Sequence, residues 1–339
     1  MTLNLCEQNI IFKGKGKCAY FSVCRNPKTN KVFMYFRSAS PENMGLAMPT
    51  RYLESDDGIN FIQPENNIVI QNTGACHNFF GFYDYNPSSN TQFRGIGGTQ
   101  WRKKDPFWRI REKYKTMKKN TPETNGWRGL YTYHSHDGMS WEQTSEKPKL
   151  CRRAQDFQTR GRRQAREFDG HLSAFYDPMR MAYILYTRAN VRAGIRHIQY
   201  TISKDFDRWS PFKLVKLDPK FNFKIDNYYS PNFQIHPDQK RYIGLVPYCH
   251  GRYACLRFFV SESGTEWKSV KDFFVAKSWY DDGEKDKPKN PCHPVNGYVL
   301  SNDKKEVYFY VQHNYFHYQP KKPITIVRYS VPLEDLISL

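Results

Sequence analysis

The sequence has no apolar run approaching the ~18 residues that a membrane-spanning helix needs. Residues 1–17 hold no basic stretch followed by an apolar core, so no secretory leader is expected. Eight cysteines are scattered with no C-x-x-C spacing, and no Asn-x-Ser/Thr acceptor site occurs. They read as reduced, mostly structural thiols in an intracellular or particle-associated protein, although an even count leaves disulfides open. His77, His171 and His293 lie far apart, without H-x-x-x-H or H-x-H spacing among them, so neither a zinc site nor any other cofactor is expected. Gly95-Ile96-Gly97-Gly98 is followed by no helical pattern, which argues against a nucleotide loop. No Ser-His-Asp arrangement can be read from spacing. Acid is scarce as well: 33 Asp and Glu stand against 52 Lys and Arg, for a formal net charge of +19.

Aromatic residues are abundant, with 24 Tyr, 24 Phe and 7 Trp among 339 residues. They supply a large core and favour strands over helices. A pattern recurs five times: an apolar-aromatic strand, a short turn rich in Pro, Asp and Asn, and a second strand rich in Tyr and aliphatics. The copies span 19–37, 77–98, 171–188, 228–248 and 296–313, with Pro27, Pro87, Pro178 and Pro237 at four turns and Asp303 at the fifth. A second hairpin follows four copies, at SDDGINF (55–61), SHDGMSW (135–141), SKDFDRW (203–209) and SESGTEW (261–267). Each has small or acidic residues at the corner and a downstream aromatic. Two hairpins per unit make four antiparallel strands, the blade of a β-propeller. The expected fold is all-β, one five-bladed propeller domain over residues 1–339, with the strand at 324–331 joined by N-terminal residues to close the ring. Six blades or a split sandwich remain alternatives.

Naming the strands of a blade A to D from the axis outward, the A–B and C–D turns fall on one face. The B–C loops and blade-to-blade connections fall on the other, where propellers bind ligands. Two basic insertions belong to that second face. Residues 99–127 hold nine Lys/Arg against three Asp/Glu, and residues 146–166 hold eight against two. Such runs are often only solvated loops. Concentrated on one face, they also suit an anionic partner: a sulfated, uronic or phosphorylated glycan or polysaccharide, with nucleic acid the less favoured alternative. Trp101, Phe107, Trp108 and Tyr114 interleave with the charge and could stack on sugars or bases.

The starts of the A strands line the top of the axis: Lys17 to Ala19, His77 and Asn78, Glu167 to His171, Asp226 to Tyr229, and His293 with Asn296. Glycoside hydrolysis needs two carboxyl groups across the scissile bond, which makes Asp169, Glu167 and Asp226 the candidates. Glu167 and Asp169 share a side if their segment is extended. Each could instead cap a turn or pair with an insertion arginine. Arg37 and Arg188 end equivalent Tyr-x-Arg segments (Tyr35-Phe36-Arg37 and Tyr186-Thr187-Arg188), and Arg196 follows in blade 3. They could clamp a carboxylate or sulfate, or else hold Asp169. His77, Asn78, His171, Tyr228, Tyr229 and His293 complete the expected substrate-binding set.

The segments HNFFGFYDYNP (77–87), SHDGMSW (135–141), FDGHLSAFYD (168–177), YTR (186–188) and IRHIQYTISKDFDRW (195–209) resemble five-bladed propeller proteins related to glycoside hydrolases. Those proteins are in turn similar to the arabinanase and invertase groups, families 43 and 32. The resemblance implies a glycosidase-like axial pocket, with a base, a modulating acid and a proton donor on three successive blades. Asp169 matches the Phe-Asp segment opening blade 3, and His77 with Asn78 match the segment opening blade 2. Blade 1 opens Gly16-Lys17-Cys18, with no carboxylate. The expected function is therefore a glycosidase-like protein acting on an anionic glycan, with a non-catalytic carbohydrate-binding propeller, or a structural component of a larger particle, as the alternative.

Overall fold

Each of the five repeated turns reverses the chain between two hydrogen-bonded strands in the computed structural model of the protein. The structure describes residues 3–14, 18–38, 49–71, 73–101, 128–150, 166–168, 170–192, 195–222, 224–250, 253–276, 292–313 and 323–339. Blade 1 carries strands A to D at Cys18–Arg25, Val32–Ser38, Thr50–Ser55 and Ile68–Ile70. Blade 2 carries Phe80–Tyr83, Phe93–Trp101, Arg128–Ser135 and Glu142–Gln143. Blade 3 carries Ser173–Asp177, Ala182–Arg192, Ile195–Ser203 and Lys213–Leu214. Blade 4 is Phe233–Ile235, Tyr242–His250, Tyr253–Ser261 and Glu266–Ala276. In blade 5 the order is Val299–Leu300, Glu306–His313, Ile324–Pro332 and, outermost, Cys6–Gly14 from the start of the chain.

The last pairing closes the ring. Cys6 to Gly14 runs antiparallel to Ile324 to Ser330, with Gly14 opposite Ile324 and Cys6 opposite Ser330. Three blades exceed four strands. Arg166–Glu167 extends blade 2 beside Trp101 and Gln100. Asp226–Tyr228 extends blade 4 beside Tyr248 to His250, and Lys216–Asp218 lies parallel to its outer strand. His293–Pro294 extends blade 5 beside Val311 and Gln312.

The outer turns link one blade to another through a repeated device. Ser55, Ser135 and Ser261 accept through Oγ from the amides of Gly58, Gly138 and Gly264. Those glycines sit at φ +75°, +80° and +64°, where a Cβ is disfavoured. Their carbonyls receive the hydroxyls of Tyr310, Tyr35 and Tyr186 from the B strand of another blade, at 2.6, 2.8 and 2.6 Å. Burial alone would raise the Asp57 carboxyl in the first turn, but the amides of Asn60 and Ile59 and the Ser55 hydroxyl pull it down to about 2. In blade 3 the glycine position is Phe206, which takes φ +61° and is buried.

Between blades the space is filled by aromatic rings, as with Tyr186 of blade 3 against Phe233 and Trp267 of blade 4 at 5.0 and 6.0 Å. Such pairs add about 0.5–1.5 kcal/mol beyond the area they bury. Near the axis, three buried asparagines bridge blades. Asn78 Nδ2 donates to the carbonyls of Phe168 and Gly170 at 2.7 and 2.9 Å while its Oδ1 accepts from Gly98. Asn232 donates to Val295 O and accepts from Gly297 N. Asn296 donates to the carbonyls of Leu172 and Pro231. Cys6, Cys24, Cys76 and Cys255 are free thiols. Among the described residues no helix is long and apolar enough to cross a membrane.

Candidate active site

At the opening of blade 1 the pairing of strands A and B slips between Ala19 and Ser22, and Tyr20 takes φ +56°. A bulky residue in the left-handed region is strained, and such strain clusters at functional sites. The Tyr20 ring lies 5.5 Å from the ring of His77 and 5.6 Å from that of His171, joining blades 1, 2 and 3. The Arg37 guanidinium lies over the same ring, 4.7 Å from its centroid. Arg37 stands opposite Ala19 on strand B, which brings it back over the bulge.

His77 ends a short 3₁₀ turn, Gly74–His77, capped by Thr73, whose Oγ1 accepts from Ala75 N at 3.1 Å. Its Nδ1 lies 2.9 Å from Arg37 Nη1. A guanidinium can only donate, so Nδ1 is the acceptor and carries no proton. His171 is buried between Tyr20 and the edge of Phe80, 6.3 Å away. Burial first, then His293 and Arg37, push its pKa down to about 3, so the ring is neutral at ordinary pH.

Across the axis, Tyr229 follows the Asp226–Tyr228 strand, and its amide is held by Pro247 O at 3.0 Å. Arg188 and Arg196 approach its ring at 6.0 and 5.5 Å, and His293 meets it edge-on at 5.0 Å. The electrostatic contact of His171 with His293 links the two halves. Arg37, His77, His171, Arg188, Arg196, Tyr229 and His293 are thus drawn into one cluster containing a residue from every blade.

Other expected residues are placed differently. The amide of Asn78 is occupied by three backbone groups. Tyr228 is packed between blades 3 and 4, against Phe221, Tyr248 and Phe259. Asp226, on the same side of its strand as Tyr228, accepts from Tyr248 Oη at 2.8 Å and Asn222 N at 2.7 Å, with His250 Nδ1 at 2.9 Å. Asp169 lies outside the described residues. Glu167 is described by its backbone, which pairs with Gln100. The extended run ends there, because Phe168 takes φ +59°, so simple alternation does not carry past Glu167. Most of both basic insertions also lies outside the described residues.

Two members were missed in the sequence. Tyr20 is one residue beyond the expected start of strand A, and nothing in the surrounding residues marks the bulge. Gln312 stands two residues after Tyr310, as Arg37 and Arg188 stand two after Tyr35 and Tyr186. Its Nε2 donates to Cys18 O at 3.3 Å. That offset was a readable signal.

No known family pattern matches the chain, and no curated protein matches it. Solved structures do. An N-acetylgalactosamine deacetylase from F. plautii, in complex with blood group B trisaccharide, superposes with a TM-score of 0.60 at 10% identity, over 99% of this chain and 96% of its own. A thermostable family-43 glycoside hydrolase gives 0.58 at 11%, over 96% and 92%. The chain has the five-bladed fold of the family 43 and family 32 glycoside hydrolases. A fructofuranosidase from Schwanniomyces occidentalis, complexed with fructose, matches this propeller at 0.54 and 11% identity, over 94% of this chain and 57% of the enzyme. At these identities the likeness is one of fold.

Proposed function

We propose that the propeller is a glycoside hydrolase-like, carbohydrate-active protein that takes an anionic glycan at its axis. The convergence of Arg37, Arg188 and Arg196 on Tyr20 and Tyr229 carries this reading. Flat tyrosine faces suit the apolar faces of sugar rings, and guanidinium forks suit carboxylate, sulfate or phosphate groups. In this reading Asp169 acts as base or nucleophile and Glu167 as the acid, on either side of the scissile bond, Asp226 being held by Asn222, Tyr248 and His250. Similarity to carbohydrate-active structures whose chains align nearly end to end supports a glycan partner. Release of reducing ends from an anionic glycan panel tests it. Asp169→Asn is expected to abolish turnover while leaving binding within about threefold, and a wild-type protein that binds no glycan would refute it.

One observation favours a second reading, a propeller that binds glycan without cleaving it. The axial residues described on blade 1, Tyr20 and Arg37, include no carboxylate, and Asp226 is already engaged by three groups. Glycan binding with no product release would decide for this reading.

A further inference from the structure

Arg37 is buried, with about 6% of its surface exposed. No carboxylate lies within ion-pair distance of it among the described residues. Burying a guanidinium without a carboxylate beside it costs several kcal/mol, so an anionic partner there would be strongly favoured. One of its N–H groups goes to His77. Nε is buried and has no hydrogen-bond partner among the described residues. The unpaired edge of the fork is therefore that of Nε beside Nη2, the pair that meets both oxygens of a carboxylate. His171 flanks the same Tyr20 ring, is about 3% exposed, and its Nε2 likewise has no partner among the described residues.

We propose that Arg37 and His171, arranged around Tyr20, form the carboxylate-recognising part of the axial cluster and accept the carboxylate of a uronic acid residue. The inference rests on the glycan reading above and narrows it. One planar guanidinium edge matches the two coplanar oxygens of a carboxylate, and the Nε2–H tautomer of His171 adds a further donor to one of them. A sulfate or phosphate monoester has its three terminal oxygens in a tetrahedral array, of which the planar edge meets only two in its own plane. His77 is a positioning residue, since its unprotonated Nδ1 turns the fork outward.

The test is calorimetric titration of the wild-type protein with uronate oligosaccharides (galacturonan, alginate and hyaluronan fragments), each against its carboxyl-reduced twin and against sulfated neutral oligosaccharides. At least tenfold tighter binding of one uronate over its reduced twin is expected. Arg37→Met should erase that preference, Arg37→Lys should lose most of it because the fork is gone, and His171→Gln should weaken it by about threefold to tenfold. Equal affinity for a uronate and its twin, tighter binding of the sulfated sugars, or a preference that survives Arg37→Met would overturn the inference while leaving the glycan reading in place. Binding of no sugar in the panel would remove both. Should Arg37→Met fail to fold, the twin comparison on wild type and His171→Gln decides alone.

Discussion

Arg37 on blade 1 donates through Nη1 to Nδ1 of His77 on blade 2 at 2.9 Å, a buried bond between two residues forty positions apart. It fixes the tautomer of the histidine and the direction of the guanidinium together. It also ties the candidate site to the join between two blades, so any change in how the blades meet moves the fork.

Acid is expected to destabilise the fold before any carboxylate is protonated. His171 is pushed down to about 3, by burial, His293 and Arg37. His197 is pushed down to about 4 by burial, against the opposing pull of the Ile198 amide and of Asp226. Both remain neutral in the folded chain while the unfolded chain takes up protons below the ordinary 6.5. The sign follows: from about pH 6.5 down to 4, each histidine lowers stability by about 1.4 kcal/mol per pH unit, and from 4 to 3 only His171 continues. Urea melts at pH 7, 6 and 5 measure the slope, to which His236 and His313, also lowered by burial, add, and His171→Gln should reduce it by about 1.4 kcal/mol per pH unit.

The tyrosine bridges between blades should differ in cost. The carbonyls of Gly138 and Gly264 also accept from Trp141 and Trp267 Nε1, at 3.0 and 3.1 Å. Gly58 lacks that second donor, because Phe61 stands where the others have Trp. Tyr310→Phe should therefore leave a buried carbonyl unsatisfied and cost about 2–3 kcal/mol, against roughly 1 kcal/mol for Tyr35→Phe or Tyr186→Phe. Urea midpoints at constant m-value give the comparison.

Asn78→Ala should act on stability, not on ligand affinity. Three buried backbone groups lose a hydrogen bond, with Phe168 O keeping a second one from Gly170 N, for a loss of roughly 2–3 kcal/mol. Asn232→Ala, at the equivalent bridge between blades 4 and 5, should behave alike. A variant of Asn78 with wild-type stability and weakened glycan binding would instead make the amide part of the binding surface.

Much of the ring was legible because its signals are local. Turn residues at Pro27, Asp303 and their counterparts, and the Ser-x-x-Gly turns, are set by backbone needs that any blade shares. The Tyr-x-Arg segments were legible for the same reason, since a fixed offset along strand B puts Arg37 and Arg188 at the same height. The parity of the strands was not legible. Asp226, Tyr228 and Tyr229 are near neighbours, yet pairing with Tyr248 to His250 fixes the turn toward the axis at Tyr229 and leaves Tyr228 between blades. A left-handed residue such as Tyr20 or Phe168 breaks the alternation on which parity rests, and neither aromatic residue advertises it.

Arg188 and Arg196 share the Tyr229 ring, at 6.0 and 5.5 Å. Replacing Tyr229 by Ala should weaken glycan binding about tenfold and leave stability within roughly 1 kcal/mol, since the ring is only half-buried. Surface plasmon resonance on the best-binding glycan, beside a thermal melt, reads both.

The central claim, an axis built for anionic sugar, is tested most directly by one equilibrium panel on the wild-type protein at physiological salt. It should compare acidic glycans, their neutral counterparts and single-stranded nucleic acid. The account predicts that an acidic glycan binds tightest, and that this binding is lost when Arg37, Arg188 and Arg196 are changed together to Met. Tighter binding of nucleic acid, falling steeply with salt and surviving those three changes, would contradict it.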